Sequence, residues 1–153
     1  MSSSAGQTGS SPDEPLAVRS YEEADEAELL ELWRDAFPDN PAWKDPRADI
    51  VRKLRVQREL LLVGHWQRRL VASVMAGYDG HRGWIYYVAV APDCRRLGFG
   101  SEIVRAAEAR LAEFGCSKIN LQVRPHNRQV VAFYERLGYV VEPRISMAKR
   151  IDS

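Results

Sequence analysis

The sequence predicts a mixed α/β fold, one sheet with helices on both faces, in the order β-α-α-β-β-β-α-β-α-β-β. Three observations predict it. Apolar residues recur at helical spacing over residues 22–37 and 101–114, then switch to strand-like runs over 59–66, 70–78 and 84–90. Turn signals fall where the period changes. Residues 84–104, WIYYVAVAPDCRRLGFGSEIV, pass from an apolar strand through a glycine-bearing turn straight into an amphipathic helix.

The 153 residues suffice for one domain with a genuine core and are too few for a second. A 45% hydrophobic and 28% charged composition is ordinary for a globular chain. The net charge of +1 gives no bulk attraction for nucleic acid or an anionic membrane, so neither is expected as a partner. No apolar run approaches the roughly 20 residues that span a bilayer. The opening MSSSAGQTGSSPDEP is rich in Ser, Gly and Pro and has no apolar stretch of the kind a secretory signal needs. Residues 1–15 are therefore expected to be a disordered tail before a single domain at 16–153. Cys94 and Cys116 make neither a disulfide framework nor a metal-ligand spacing, and fit a reducing cytoplasm.

Leu16–Tyr21 reads as the first strand. The first helix, 22–37, turns Leu29, Leu30, Leu32, Trp33 and Phe37 inward against an acidic outer face, and Pro38 and Pro41 end it. Asp45-Pro46 is an N-cap followed by proline at the first helical position, opening a helix to about Gln57. That helix should put Ile50, Val51 and Leu54 inward and Arg47, Arg52, Lys53 and Arg55 outward. Three strands follow at 59–66, 70–78 and 84–90, joined by a turn at Gln67-Arg68-Arg69 and a hairpin signal at Asp79-Gly80. After the glycine turn, Ile103, Val104, Ala107, Leu111 and Phe114 form one stripe, closed by Gly115. Residues 118–124 alternate as a strand. Residues 127–137 make a helix with Val130, Phe133, Tyr134 and Leu137 inward, closed by Gly138. Tyr139–Glu142 and Ile145–Lys149 are expected to form a last hairpin.

The turn Arg95-Arg96-Leu97-Gly98-Phe99-Gly100 aims backbone N–H groups, two guanidinium groups and a helix N-terminus at one place, which suits a pyrophosphate. Glycine permits close approach and positive φ. A P-loop would require Lys-Ser or Lys-Thr after the second glycine, and Phe99-Gly100-Ser101 has no lysine. A dinucleotide fold would place its glycines after the first strand of a repeated βαβ array. Here they follow the fourth strand of a meander.

Arg95-x-x-Gly98-x-Gly100, preceded by Val88-Ala89-Val90-Ala91-Pro92, closely resembles the acetyl-CoA signature of the GNAT acyltransferases. Asn127 with Tyr134 two helical turns on, in NRQVVAFYERLGY, resembles the other core motif of that family. The resemblance covers roughly residues 16–150. KDPRADIVRK, GYDGHRG and the Tyr86-Tyr87 pair are further similar to the YpeA-type bacterial subgroup, which carries little substrate information.

The resemblance implies the GNAT fold over 16–153, with acetyl-CoA as co-substrate. Strands 84–90 and 118–124 should lie side by side and splay, leaving the main chain of Val88, Ala89 and Val90 for the pantetheine arm. Arg96, Leu97, Gly98, Phe99, Gly100 and Ser101 would cradle the diphosphate, with Arg95 at the lip and Asn127 as a further contact. Tyr134 would face the departing sulfur. Transfer would be direct, from the thioester to a primary amine of a small molecule, peptide or protein through a tetrahedral intermediate. A backbone N–H at or near Val88–Val90 would hold the oxyanion. The alternative is a non-catalytic acyl-CoA sensor or interaction module of the same fold.

The base stays open. In the ribosomal N-terminal-alanine acetyltransferases, a related branch, a glutamate stands where this chain has Gln122, which takes no proton at neutral pH. His65, His81 and His126 read more simply as surface residues, and Tyr86 or Tyr87 is left as a holder of a relay water. Trp33, Phe37, Trp43 and Tyr78 are candidates to line an acceptor pocket, and Asp45, Asp49 and Asp79 to attract a cationic amine. Core packing and capping explain these equally well. A homodimer is compatible with the family, although no interface is readable.

Overall fold

Residues 14–41 and 44–152 are described by a computed structural model. The expected tail lies outside these residues up to Asp13, as does Trp43. The elements are β1 (Ala17–Ser20), α1 (Glu26–Ala36), α2 (Pro46–Leu54), β2 (Leu61–Trp66), β3 (Arg69–Tyr78), β4 (Gly83–Val90), α3 (Phe99–Glu113), β5 (Ile119–Asn120) and α4 (Arg128–Arg136). They follow the predicted order as far as α4. Two compact units result, one ending at Leu121 and the other beginning at Gln122.

The first unit holds a five-stranded sheet in the order β1-β2-β3-β4-β5. Neighbours are antiparallel from β1 to β4, and β5 runs parallel to β4. Gln67 and Arg68, both at positive φ (51° and 65°), make the tight β2–β3 turn. Leu70 to Val74 are buried without a gap, so the middle of β3 is covered on both faces. Both α1 and α3 pack on β3 and β4. Leu29, Leu32 and Trp33 of α1 and Ile103, Val104, Ala107 and Leu111 of α3 enter the core. Phe114, expected on the α3 stripe, is exposed, because α3 ends before it and Phe114 is the C-cap.

The α3 terminus is a Schellman closure: Cys116 N–H reaches Leu111 O and Gly115 N–H reaches Ala112 O. The same pair of bonds closes α4, from Tyr139 to Tyr134 O and from Gly138 to Glu135 O. The Asp45 carboxylate caps α2 through Ala48 N–H, with Pro46 next to it as expected. The helix ends at Leu54 rather than Gln57, whose φ of 55° is left-handed. Its rotation also differs from expectation. Lys53 is buried, at 9% exposure, while Val51 lies outside. Alternation of charge alone places a lysine outward; here its long apolar stem packs and its ammonium ends beneath Gly77.

The expected strand 118–124 shrinks to Ile119 and Asn120, the residues of that stretch that pair with β4. Further along β4 the register against β3 shifts between Ser73 and Met75. That bulge breaks the even spacing a parallel partner requires. The expected hairpin at 139–149 is also absent, since no strand is formed by the described residues beyond Asn120. Val140, Val141, Ile145 and Met147 are exposed. A lone two-stranded hairpin with no buried face is marginal, so alternation by itself does not hold it. Among the described residues no helix is long and apolar enough to cross a membrane.

Candidate active site

The site in the first unit starts at the bulge. Tyr87 has φ 53°, a left-handed conformation that a bulky residue adopts only when its surroundings impose it. Its ring stacks on Trp33 at 3.9 Å between centroids and meets the edge of Phe37 at 5.8 Å. The Lys44 ammonium lies 4.8 Å from the ring centre. Its hydroxyl donates to Asp49 Oδ2 at 2.6 Å. Burial, with this carboxylate accepting its hydrogen, pushes the Tyr87 phenol far above its ordinary value. Its one hydroxyl proton is thus committed to Asp49, which counts against a proton relay there. The Tyr87 carbonyl accepts from Ser73 Oγ at 2.9 Å, and Ser73 Oγ accepts from the Trp33 indole N–H, also at 2.9 Å.

Past the bulge, β3 pairs with β4 as Ser73↔Ala89 and Ala72↔Val90. The opposite edge of β4 pairs with β5 only through Gly83 and Trp84. Val88, Ala89 and Val90 therefore have a strand on one side and, among the described residues, none paired on the other. Ala89 is buried and Val88 and Val90 partly so, as core side chains on a strand with one open edge.

From Val90 the chain enters a single 3-10 turn at Pro92–Cys94, then the glycine turn. Arg69 fixes the entry, donating to Asp93 at 3.0 and 3.2 Å, while Cys94 is buried. Arg96 (φ 68°) and Gly98 (φ 82°) are both left-handed. Gly98 supplies the conformation without a Cβ penalty, whereas Arg96 adopts it at a cost. Gly100 is different from expectation: it is the second residue of α3, so the curl of the loop rests on Arg96 and Gly98. Phe99 is buried and meets the Trp66 ring edge-on at 5.4 Å, which pins the start of α3. Gly98 is the N-cap and offers no side chain to the first turn, leaving the N–H groups of Phe99, Gly100 and Ser101 for a ligand. Arg95, Arg96 and Leu97 are exposed beside it. An open strand edge running into an uncapped helix N-terminus fits a long amide-bearing arm ending in a diphosphate.

In the second unit, Asn127 is the α4 N-cap residue, but its side chain makes no cap bond and it is exposed. Tyr134 is the buried residue of α4, edge-on to Phe133 at 4.9 Å and Tyr139 at 5.6 Å. Burial pushes its phenol up to about 12. The Gln122 amide donates to Ser146 Oγ.

Several candidates turn out to be structural. Trp33 is 1% exposed and its N–H is used, so it is core and not pocket lining. Asp79 accepts from the backbone N–H groups of His81 (2.8 Å) and Arg82 (2.7 Å), organising its own turn. Those two N–H groups, Arg82 first, hold its carboxyl below the usual range. Asp45 caps α2, Asp49 serves Tyr87 and Arg52, and the Tyr78 hydroxyl reaches Gly80 O. His65 lies 3.9 Å from Asp25, which Arg19 already engages, and His81 and His126 are exposed. Ser73 escaped notice in the sequence. Its only signal there is a lone hydroxyl in the apolar run LVASVMA.

Sheet order, bulge, open edge and uncapped helix together make a site that suits a long, amide-bearing ligand ending in a diphosphate. Comparison with known proteins agrees. Residues 26–139 match the profile of the Acetyltransferase (GNAT) family. An acetyltransferase of Yersinia enterocolitica is 40% identical over 136 residues, which is 89% of this chain and 96% of that protein. Among solved structures, the aminoglycoside 6'-N-acetyltransferase AAC(6')-Ih of Acinetobacter baumannii superposes with TM-score 0.71 at 19% identity, covering 91% of this chain and 100% of that one. The ribosomal-protein-S18-alanine N-acetyltransferase of Escherichia coli gives TM-score 0.68 at 21% identity, covering 81% and 77%. The chain belongs to the GNAT acetyltransferase family and is an acyltransferase, of a family that generally takes its acyl group from acetyl-CoA.

Proposed function

We propose that the protein moves the acetyl group of acetyl-CoA directly onto a primary amine. The observation that carries this reading is the open edge of β4 leading into Arg96, Gly98 and the uncapped start of α3. Val88, Ala89 and Val90 offer main-chain groups to the pantetheine arm. Arg96, Leu97, Gly98, Phe99, Gly100 and Ser101 receive the diphosphate, with Arg95 at the lip. Asn127 is a further contact by family resemblance. One domain, residues 16–153, carries the activity, in a reducing cytoplasm that suits two free thiols.

The amine attacks as the neutral base. Its lone pair forms the C–N bond, the carbonyl π pair moves to oxygen, and a backbone N–H of β4 holds that charge. The pair returns as the C–S bond breaks and the thiolate leaves. By family resemblance, Tyr134 is the group assigned to meet the departing sulfur. With its phenol near 12 against a thiol near 8.5, outright proton transfer would be uphill by roughly 5 kcal/mol. Tyr134 therefore donates a hydrogen bond and keeps its proton, and the amine's own proton ends on the thiolate or in water. No base is assigned.

The solved neighbours above are named for an alanine of ribosomal protein S18 and for an aminoglycoside antibiotic. The acceptor here is of the same general kind, a small-molecule, peptide or protein amine. A thiol-release assay over polyamines, aminoglycosides and peptides tests the reading. Saturable turnover that drops in Tyr134→Phe is expected. Gln122, engaged with Ser146 and unable to act as a base, favours the second reading, an acyl-CoA sensor. Tight acetyl-CoA binding with no turnover on any amine would establish that instead.

A further inference from the structure

Acetyl transfer gains most from a hydrogen-bond donor already aimed at the thioester oxygen, because a donor that must reorient during the reaction loses most of its benefit. A strand edge does not fix such an aim by itself. The β4 bulge interrupts the ladder with β3 between Met75↔Tyr86 and Ser73↔Ala89, and Tyr87 sits there in a left-handed conformation that a bulky residue adopts only under constraint. Something must hold the peptide that follows.

Ser73 does so. It is 0% exposed and is the sole hydroxyl in an otherwise apolar stretch of β3. Its proton goes to the Tyr87 carbonyl, and its lone pair takes the Trp33 indole N–H, each bond 2.9 Å. The chain Trp33 N–H to Ser73 O–H to Tyr87 C=O thus has a fixed direction, because the indole is only a donor. A buried hydroxyl with both roles fulfilled has no low-cost alternative rotamer. The Tyr87 ring is clamped at the same time by Trp33, Phe37 and Asp49.

The consequence follows from peptide planarity. No described peptide bond is cis, so the Val88 N–H is antiparallel to the Tyr87 carbonyl. With that carbonyl drawn toward Ser73 on β3, the Val88 N–H points away from β3, the side on which β4 has lost its β5 partner. We infer that Ser73 is a positioning residue for acetyl transfer: by holding the Tyr87 carbonyl it aims the Val88 N–H at the thioester oxygen. The inference rests on the acetyl-transfer reading above, which already takes its oxyanion donor from the β4 main chain, and adds the residue that orients that donor.

Two measurements test it. In kinetics with any amine turned over, Ser73→Ala lowers kcat by about tenfold or more, with KM for acetyl-CoA changed less than about twofold. Ser73→Thr, which keeps the hydroxyl, recovers most of that loss. Ile103→Val, a core change in α3, lowers Tm and leaves kcat within about threefold. In NMR, the ketone analogue of acetyl-CoA, with a methylene between sulfur and carbonyl, cannot transfer its acyl group. Its binding shifts the Val88 amide proton downfield in the wild type, and the shift is lost in Ser73→Ala.

A Ser73→Ala enzyme that loses only stability, in proportion to Ile103→Val, overturns the positioning role. So does a wild-type complex in which the analogue binds and the Val88 amide does not respond, a result that stands even if the alanine variant fails to fold. Failure of the wild type to bind the analogue at all would instead remove the acetyl-transfer reading itself.

Discussion

Tyr134 shows how burial selects among the chemistries one side chain offers. A phenol raised to about 12 stays protonated throughout any practical assay range. It therefore contributes no alkaline limb to the pH profile. Activity should rise with pH as the acceptor amine loses its proton, then stay level to about pH 10. A fall in kcat with an apparent pKa near 9, abolished in Tyr134→Phe, would show a tyrosine that gives up its proton. The Phe variant keeps the ring contacts to Phe133 and Tyr139, so its Tm should move little while kcat drops about 10- to 100-fold, the worth of one hydrogen bond to a charged group. Tyr134 was legible in the sequence as a candidate because it stands at fixed spacing from Asn127 in a motif. Ser73 was not, because what marks it is a pair of partners, one 40 residues earlier in the chain and one 14 later.

At the scale of elements, apolar periodicity located every helix and the first four strands, and failed where a face or an edge is decided by packing. α2 is the case in point. Its pattern of charges placed Lys53 in water, yet the structure buries it. Desolvation lowers the pKa of its ammonium, an effect that Glu59 only partly opposes. A base whose folded pKa is depressed makes the native state weaker below that pKa. The missing stability returns as pH rises through the folded value and is complete above the unfolded value near 10.4. Lys53→Met, which keeps the stem volume and removes the charge, should stabilise the protein at pH 7 by about 1 kcal/mol and flatten this rise. Thermal melts at pH 7 and pH 10 check it. A loss of stability at both would mean that the ammonium has a partner worth more than its desolvation. The last hairpin and the length of β5 failed for a related reason. Alternation says which residues share a face of a strand, and it does not say whether a neighbour exists to pair with.

For the whole molecule, order along the chain was more informative than any composition. A near-neutral chain with no metal spacing offers no electrostatic clue. The succession of strand, glycine turn and helix in the middle of the chain still pointed to a diphosphate-bearing substrate, and the family assignment agrees. The details that make the turn work are conformational: a left-handed arginine, and a glycine that caps without a side chain. The central claim is that peptide nitrogens at the start of α3 hold the diphosphate of acetyl-CoA. The most direct measurement is calorimetric titration of acetyl-CoA into the wild type and Gly100→Glu, alongside their melting curves. A carboxylate in the first turn of α3 complements the helix dipole, so the fold should persist, while the diphosphate meets a like charge. The account predicts an affinity at least about tenfold weaker in the variant with an undiminished Tm; unchanged affinity would contradict it.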